Sequence, residues 1–322
     1  MPRSLIRKNP SDFKTLPLFV EGTAEGLSYQ SVGMPLNFAQ ILQKRRPVEV
    51  ADPQRFGLEL ANLGVSVRLT LQWQGRDYWV LVRQRRQDRG DVVLKLISGY
   101  VPAHEVNLPL HTAIQEVAEE CLLETPEGWL GGRFNETWLP APYISALHYR
   151  EALPFRLTPN SGAARPVRCG SQPLLERPRA YVHLPTASLQ LIYDLRLEVP
   201  KEAKSLSLFH VDERLEGDQL VARLDRKHPD LYLIPLTEGQ PCAELYTLNK
   251  DKLHAASSRG LHLAESFAVQ EGWVVREERI RWKDWLKQQG LSEPDKESRL
   301  KRLTGKARQI FRKVVKRKNT ST

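Results

Sequence analysis

The stretch from Val65 to Glu124 constrains the fold most. VSVRLTLQW (65–73) alternates Val, Val, Leu, Leu and Trp with polar residues, QGRD makes a turn, and YWVLVR (78–83) resumes the alternation. A period of two describes a strand with one buried face, so the pair predicts a β-hairpin. DVVLKLISG (91–99) predicts a third strand ending at Gly99. NLPLHTAIQEVAEECLLE (107–124) then changes period, and its Leu110, Ile114, Val117 and Cys121 form one apolar face of a helix. Glu116, Glu119 and Glu120 lie on another face, in an arc of about 100° centred about 130° from the apolar stripe. Like charges at spacings of three and four weaken a helix by roughly 0.2–0.5 kcal/mol per pair. The cluster therefore calls for solvent, a basic partner or a bound cation.

Residues 1–60 mix Pro, Gly and short apolar runs and read as an N-terminal extension packed partly on the domain that begins at about residue 61. Eight prolines between Leu139 and Gln190 argue against a continuous sheet or helix and predict a proline-rich insertion at about 139–188. Strands resume in LQLIYDLRLEV (189–199), LSLFHVDE (206–213), QLVARLD (219–225) and LYLIPL (231–236), and ELYTLNKDKL (244–253) leads into a turn and a helix. Strands and helices in this order predict an α/β (α+β) fold with a mixed sheet. The chain shows no stretch of about 18 apolar residues and no signal-like opening, which predicts a cytoplasmic protein without a transmembrane segment. Cys121, Cys169 and Cys242 lie far apart, with no CxxC pair to suggest a thiolate metal site.

The segment from Gly99 to Leu123, GYVPAHEVNLPLHTAIQEVAEECLL, resembles the Nudix box, in which a glycine and a glutamate precede a core of Arg-Glu, an aliphatic residue, any residue and Glu-Glu. Gly99 and Glu105 match the opening, Glu116, Val117, Glu119 and Glu120 the core, and Leu123 the last aliphatic position. Gln115 stands where the family has Arg, Leu122 where it has Gly, and Glu105 is separated from Gln115 by nine residues rather than seven. The resemblance implies a Nudix-like mixed sheet flanked by helices over about residues 61–268. It also implies a hydrolase that cleaves a diphosphate linkage in a nucleoside diphosphate derivative. Mg²⁺ or Mn²⁺ would be held by Gly99, Glu116, Glu119 and Glu120, with Glu238, or less favourably Glu244, as an extra ligand. Glu116, Glu120 or Glu105 would take the proton from water. Hard oxygen donors suit such ions on chemical grounds as well. The alternative is a catalytically degenerate Nudix-like module that binds a nucleotide or a protein, for which Gln115 speaks because an amide supplies no charge.

Other features divide between functional and bland readings. RQRR (83–86) could bring Arg83 and Arg85 to a phosphate, against a solvated turn. His104 and His111 flank the box without metal-ligand spacing, HVDERLEGD (210–218) reads as a turn, and TGK (304–306) lacks the rest of a phosphate loop. Ten of the 48 Lys and Arg lie in residues 299–322, which carry no Asp or Glu, so residues 1–298 hold 38 charges of each sign. Within residues 298–318, Leu300, Leu303, Ala307, Ile310, Phe311 and Val314 share one face. The tail, 269–322, thus predicts a basic amphipathic helix. It could dock on the protein's own surface, an anionic membrane surface or nucleic acid.

Overall fold

The computed structural model describes residues 3–8, 13–85, 92–144, 146–160, 164–216, 219–227, 230–269 and 272–292. The fold is mixed α+β and dominated by strands. Its axis is the strand Asn62–Trp73. On one edge this strand pairs in parallel with Ser188–Glu198 along nearly its whole length, from Asn62 opposite Ser188 to Gln72 opposite Glu198. On the other edge it has two successive partners. Arg76–Arg85, the hairpin strand, pairs with the half from Leu69 to Trp73, and Ile97–Tyr100 pairs antiparallel with the half from Gly64 to Val67. Val92–Lys95 stays with the departing hairpin strand, Lys95 opposite Val82. The expected single strand 91–99 is thus two strands, and the chain changes partner at Leu96, which is buried.

The alternation in the central strand decides where the core lies. Leu63, Val65, Val67, Leu69 and Leu71 are all but inaccessible and share one cluster with Leu110, Ala113, Ile114 and Val117 of the helix Pro109–Glu120. Asn62, Ser66, Arg68 and Thr70 fall on the opposite face by the period-two rule. There Arg68 binds Asp194 of the parallel neighbour through Nε at 2.6 Å and Nη2 at 2.9 Å. A second cluster gathers Leu81, Leu94, Ile192 and Ile234 with Trp282 and Trp285, both on the helix Trp282–Gln288.

Several expectations need correction. The box helix ends at Glu120 rather than continuing to residue 124, because Leu122 and Leu123 gain more as a strand. Leu122–Thr125 pairs with Ser207–Phe209, and the strand period sends Leu122 and Leu123 into two different clusters. The proline-rich stretch contains continuous strand, which its prolines argued against. Tyr149–Pro159 pairs with Gly128–Phe134 and with Ser188–Glu198. Pro154 is tolerated because the register shifts between Leu130 and Gly132, leaving the proline in the irregular part of the ladder. ELYTLNKDKL forms a hairpin, Tyr246–Asn249 with Lys252–Ala255, instead of leading into a helix. Lys250 and Asp251 at its turn adopt positive φ, and the Asp251 carboxylate accepts hydrogen bonds from the amides of Ser205 and Leu206. HVDERLEGD, expected at a hairpin turn, supplies the first strand, Val211–Glu216, of a hairpin with Gln219–Leu224.

Residues 1–60 contribute Leu18–Gly22, Leu27–Ser31 and Phe56–Leu60 to a small sheet whose remaining strands, Val167–Cys169 and Gln172–Pro173, come from the proline-rich stretch. Beyond residue 268, Val274–Val275 pairs with Arg179–His183. The basic run 298–318, with TGK, lies outside the described residues.

Trp282→Ala is expected to lower urea-derived stability by about 3–5 kcal/mol, the usual cost of emptying a large aromatic site; a loss under about 1 kcal/mol would show that residues 272–292 do not belong to the cooperative unit. Burial pushes the Cys121 thiol up to about 12. In native protein at pH 8 Cys121 should therefore resist alkylation while the partly exposed Cys242 reacts, and equal labelling of the two in peptide mass spectrometry would contradict this packing.

Candidate functional site

The change of partner at Leu96 exposes a strand end, Ile97–Tyr100, to the box helix. Gly99 stands opposite Val65, whose side chain is in the helix-facing cluster, so a side chain at position 99 would point toward the helix. The Glu116 carboxylate occupies that space. A Cβ placed on Gly99 would lie 2.9 Å from Glu116 Oε2 and nearer still to the other carboxylate atoms. Only glycine leaves room for this approach. One turn further along the helix, Glu120 Oε2 accepts a long hydrogen bond from the Ser98 amide, 3.4 Å, and Glu120 Oε1 is 3.6 Å from Lys95 Nζ. Glu116 and Glu120 thus meet the Ser98–Gly99 strand end together, as their spacing of four predicts.

Lys95 is the residue that sequence reasoning missed. Its ammonium donates to Ser98 Oγ at 3.0 Å and to Ser98 O at 3.4 Å, besides pairing with Glu120. The Lys95 side chain is 13% exposed and that of Glu120 18%, so the pair is largely shielded. A signal was present: Lys95 is the lone charge in the apolar run VVLKLIS, four residues before Gly99. The helix has no basic residue in its last turn, where Glu119 and Glu120 sit against the negative end of the helix dipole. Two other groups meet that end. The Tyr143 hydroxyl donates to the Glu119 carbonyl at 3.5 Å, and His210 Nδ1 lies 3.3 Å from the Glu120 carbonyl. The loop that carries Tyr143 also lines an open cavity of about 490 Å³ with Trp138, Ile144, His148 and Arg150.

Three expected site residues stand elsewhere. Both oxygens of Glu105 are engaged at the start of the helix, Oε1 2.7 Å from His111 Nδ1 and Oε2 accepting from the Thr112 hydroxyl at 2.5 Å. Thr112 is eight residues before Glu120, about 12 Å along the axis, so Glu105 organises the helix start, one end of the helix away from Glu120. Glu238 is exposed at the positive-φ tip of the hairpin after Leu231–Thr237. Pro235 is opposite Tyr78 and Tyr78 opposite Leu71, while Gly99 is opposite Val65. At about 3.3 Å per residue, the six residues from Val65 to Leu71 alone put Glu238 about 20 Å or more from Gly99. Arg83 pairs with Asp230 at 3.3 Å. It alternates with Val82 of the helix-facing cluster, so it projects from the other face. Arg85 closes its strand; its side chain lies outside the described residues.

Among the described residues, no three His, Cys, Asp or Glu side chains gather closely enough to hold a metal ion on their own. Mg²⁺ does not require such a cage, since it commonly takes one or two carboxylates and completes its shell with water and substrate phosphate. Glu116 and Glu120 beside a bare strand end fit that mode. No protein-family model matches the chain, and no curated protein matches it.

Gly99→Ala tests the cradle. The displaced atoms are the tip of a flexible side chain, so the expected stability loss is under about 1 kcal/mol by urea unfolding, with the Glu116 carboxylate turned away in the variant's crystal structure. An unmoved Glu116 would contradict the close approach.

Proposed function

We propose that the chain is a Nudix-like protein that hydrolyses a diphosphate linkage in a water-soluble nucleoside diphosphate derivative of the cytoplasm with the help of Mg²⁺ or Mn²⁺. The observation that carries this reading is the Glu116 carboxylate seated over Gly99, with Glu120 one turn away at the same strand end. Glu116 and Glu120 would hold the ion. When bound, it would supply charge neutralisation for the diphosphate and a lowered pKa for a bound water. The chain's own part is positional. The helix and the strand fix two carboxylates about one helical turn apart, and the Ser98 amide orients one of them. One of the helix carboxylates, Glu116 or Glu120, would also accept the proton from an attacking water. The loop whose Tyr143 reaches the helix end also lines the cavity with Trp138, and that cavity would take the rest of the substrate.

One observation favours a second reading. The cation beside Glu120 is the chain's own Lys95, and Gln115 adds none, which suits a degenerate module that binds a nucleotide without turnover. The two readings part in a single experiment. Incubation of the full chain with nucleoside diphosphates, dinucleoside polyphosphates and nucleotide sugars in Mg²⁺ or Mn²⁺ should release product, and Glu116→Gln should lower the rate about 100-fold or more. Nucleotide binding by calorimetry with no product from any compound would favour the second reading. We further propose that the basic run 298–318 meets an anionic membrane surface or nucleic acid. Binding to anionic vesicles or RNA that weakens with salt and is lost on truncation at Glu297 would support this.

A further inference from the structure

We infer that the Lys95 ammonium is a built-in competitor of the divalent cation at Glu120, holding in the metal-free protein the place that a metal must take over. The inference rests on the metal-dependent reading of this site and deepens it. An ammonium has three N–H donors, and the three oxygens around Lys95 Nζ are Ser98 Oγ at 3.0 Å, Ser98 O at 3.4 Å and Glu120 Oε1 at 3.6 Å. Two of them belong to the residue just before Gly99, and the third to the helix carboxylate expected to bind metal. With Glu120 Oε2 facing the Ser98 amide, both oxygens of that carboxylate already have partners within the chain. A divalent ion arriving at Glu120 would find a positive charge within about 4 Å, a repulsion that the shielded setting strengthens. Glu116 sits over Gly99, which contributes no side chain.

A compact point charge on a flexible stem can swing away, unlike a guanidinium locked in a planar fork. Lys95 therefore sets a threshold. It neutralises Glu120 and the negative helix end while metal is absent, and withdraws when the combined pull of Glu116, Glu120 and a substrate phosphate favours the ion. Metal binding to the chain alone is then weak and is strengthened by a phosphate ligand.

The test uses Mn²⁺ alone, followed by electron paramagnetic resonance on the full-length chain, with thermal unfolding as a control for folding. Lys95→Met should tighten Mn²⁺ binding about tenfold or more, within the range of ordinary coupling between two sites. Lys95→Arg, which keeps the charge but withdraws less readily, should bind Mn²⁺ no more tightly than the parent chain. Adding Glu120→Gln to Lys95→Met should remove the gain. Unchanged or weaker Mn²⁺ binding in a folded Lys95→Met variant overturns the inference, and so does a gain that survives Glu120→Gln. The reading on which it rests fails separately. If the parent chain turns over no diphosphate compound while Lys95→Met still gains Mn²⁺ through Glu120, hydrolysis is lost and the competition stands. If neither chain binds Mn²⁺, both are lost.

Discussion

The pairing of Asn62–Trp73 is the constraint on which the rest of the structure depends. A strand with an unbroken partner on one edge and two successive partners on the other cannot belong to a simple stacked sheet. Where the hairpin strand leaves, another must arrive to satisfy the exposed amides and carbonyls, and Ile97–Tyr100 does so. Its end is therefore held against the most buried part of the molecule, under a helix whose apolar face covers Val65, Val67 and Leu69. The glycine opposite Val65 then becomes a place where a polar group can approach backbone without a side chain between them.

Electrostatics completes the arrangement. A helix that ends in two glutamates and no lysine or arginine sets carboxylates against its own negative pole. Such an end needs donors, and the fold brings three from distant parts of the chain: Lys95, Tyr143 and His210. Glu105 has a different task at the other end, where His111 and Thr112 engage it. The two ends of one short motif therefore do separate work, organising the helix at its start and presenting charge at its finish.

Much of the local structure was legible in the sequence because burial and period coincide there. The strands around 65–73, 78–83 and 189–199 and the apolar face of the helix all alternate or repeat in phase with the core they fill. What escaped reading depended on partners far away in sequence. Leu122 and Leu123 continue a helical pattern, yet Ser207–Phe209 offers them a strand edge. Pro154 looks like a strand breaker, but a shifted register gives it a position that needs no donor. The meeting of Gly99 with Glu116 and Glu120 was foreseen through the Nudix-box resemblance, since helical spacing groups only the glutamates, whereas Glu238 required the register of three strands to be placed at the far end of the sheet. Lys95 was hidden by an ordinary expectation that a charge in a strand faces solvent; its register opposite Val82 puts it on the helix-facing side instead.

The proposed divalent cation would bind where the helix meets the strand end at Ser98 and Gly99. Paramagnetic broadening by substoichiometric Mn²⁺ in amide-resolved NMR of the full chain tests it most directly. The amide signals of Ser98, Gly99 and the last turn of the helix should fade first, with those near Glu238 persisting. Broadening that begins at Glu238, or that spreads evenly over the acidic surface while Gly99 stays sharp, would contradict it.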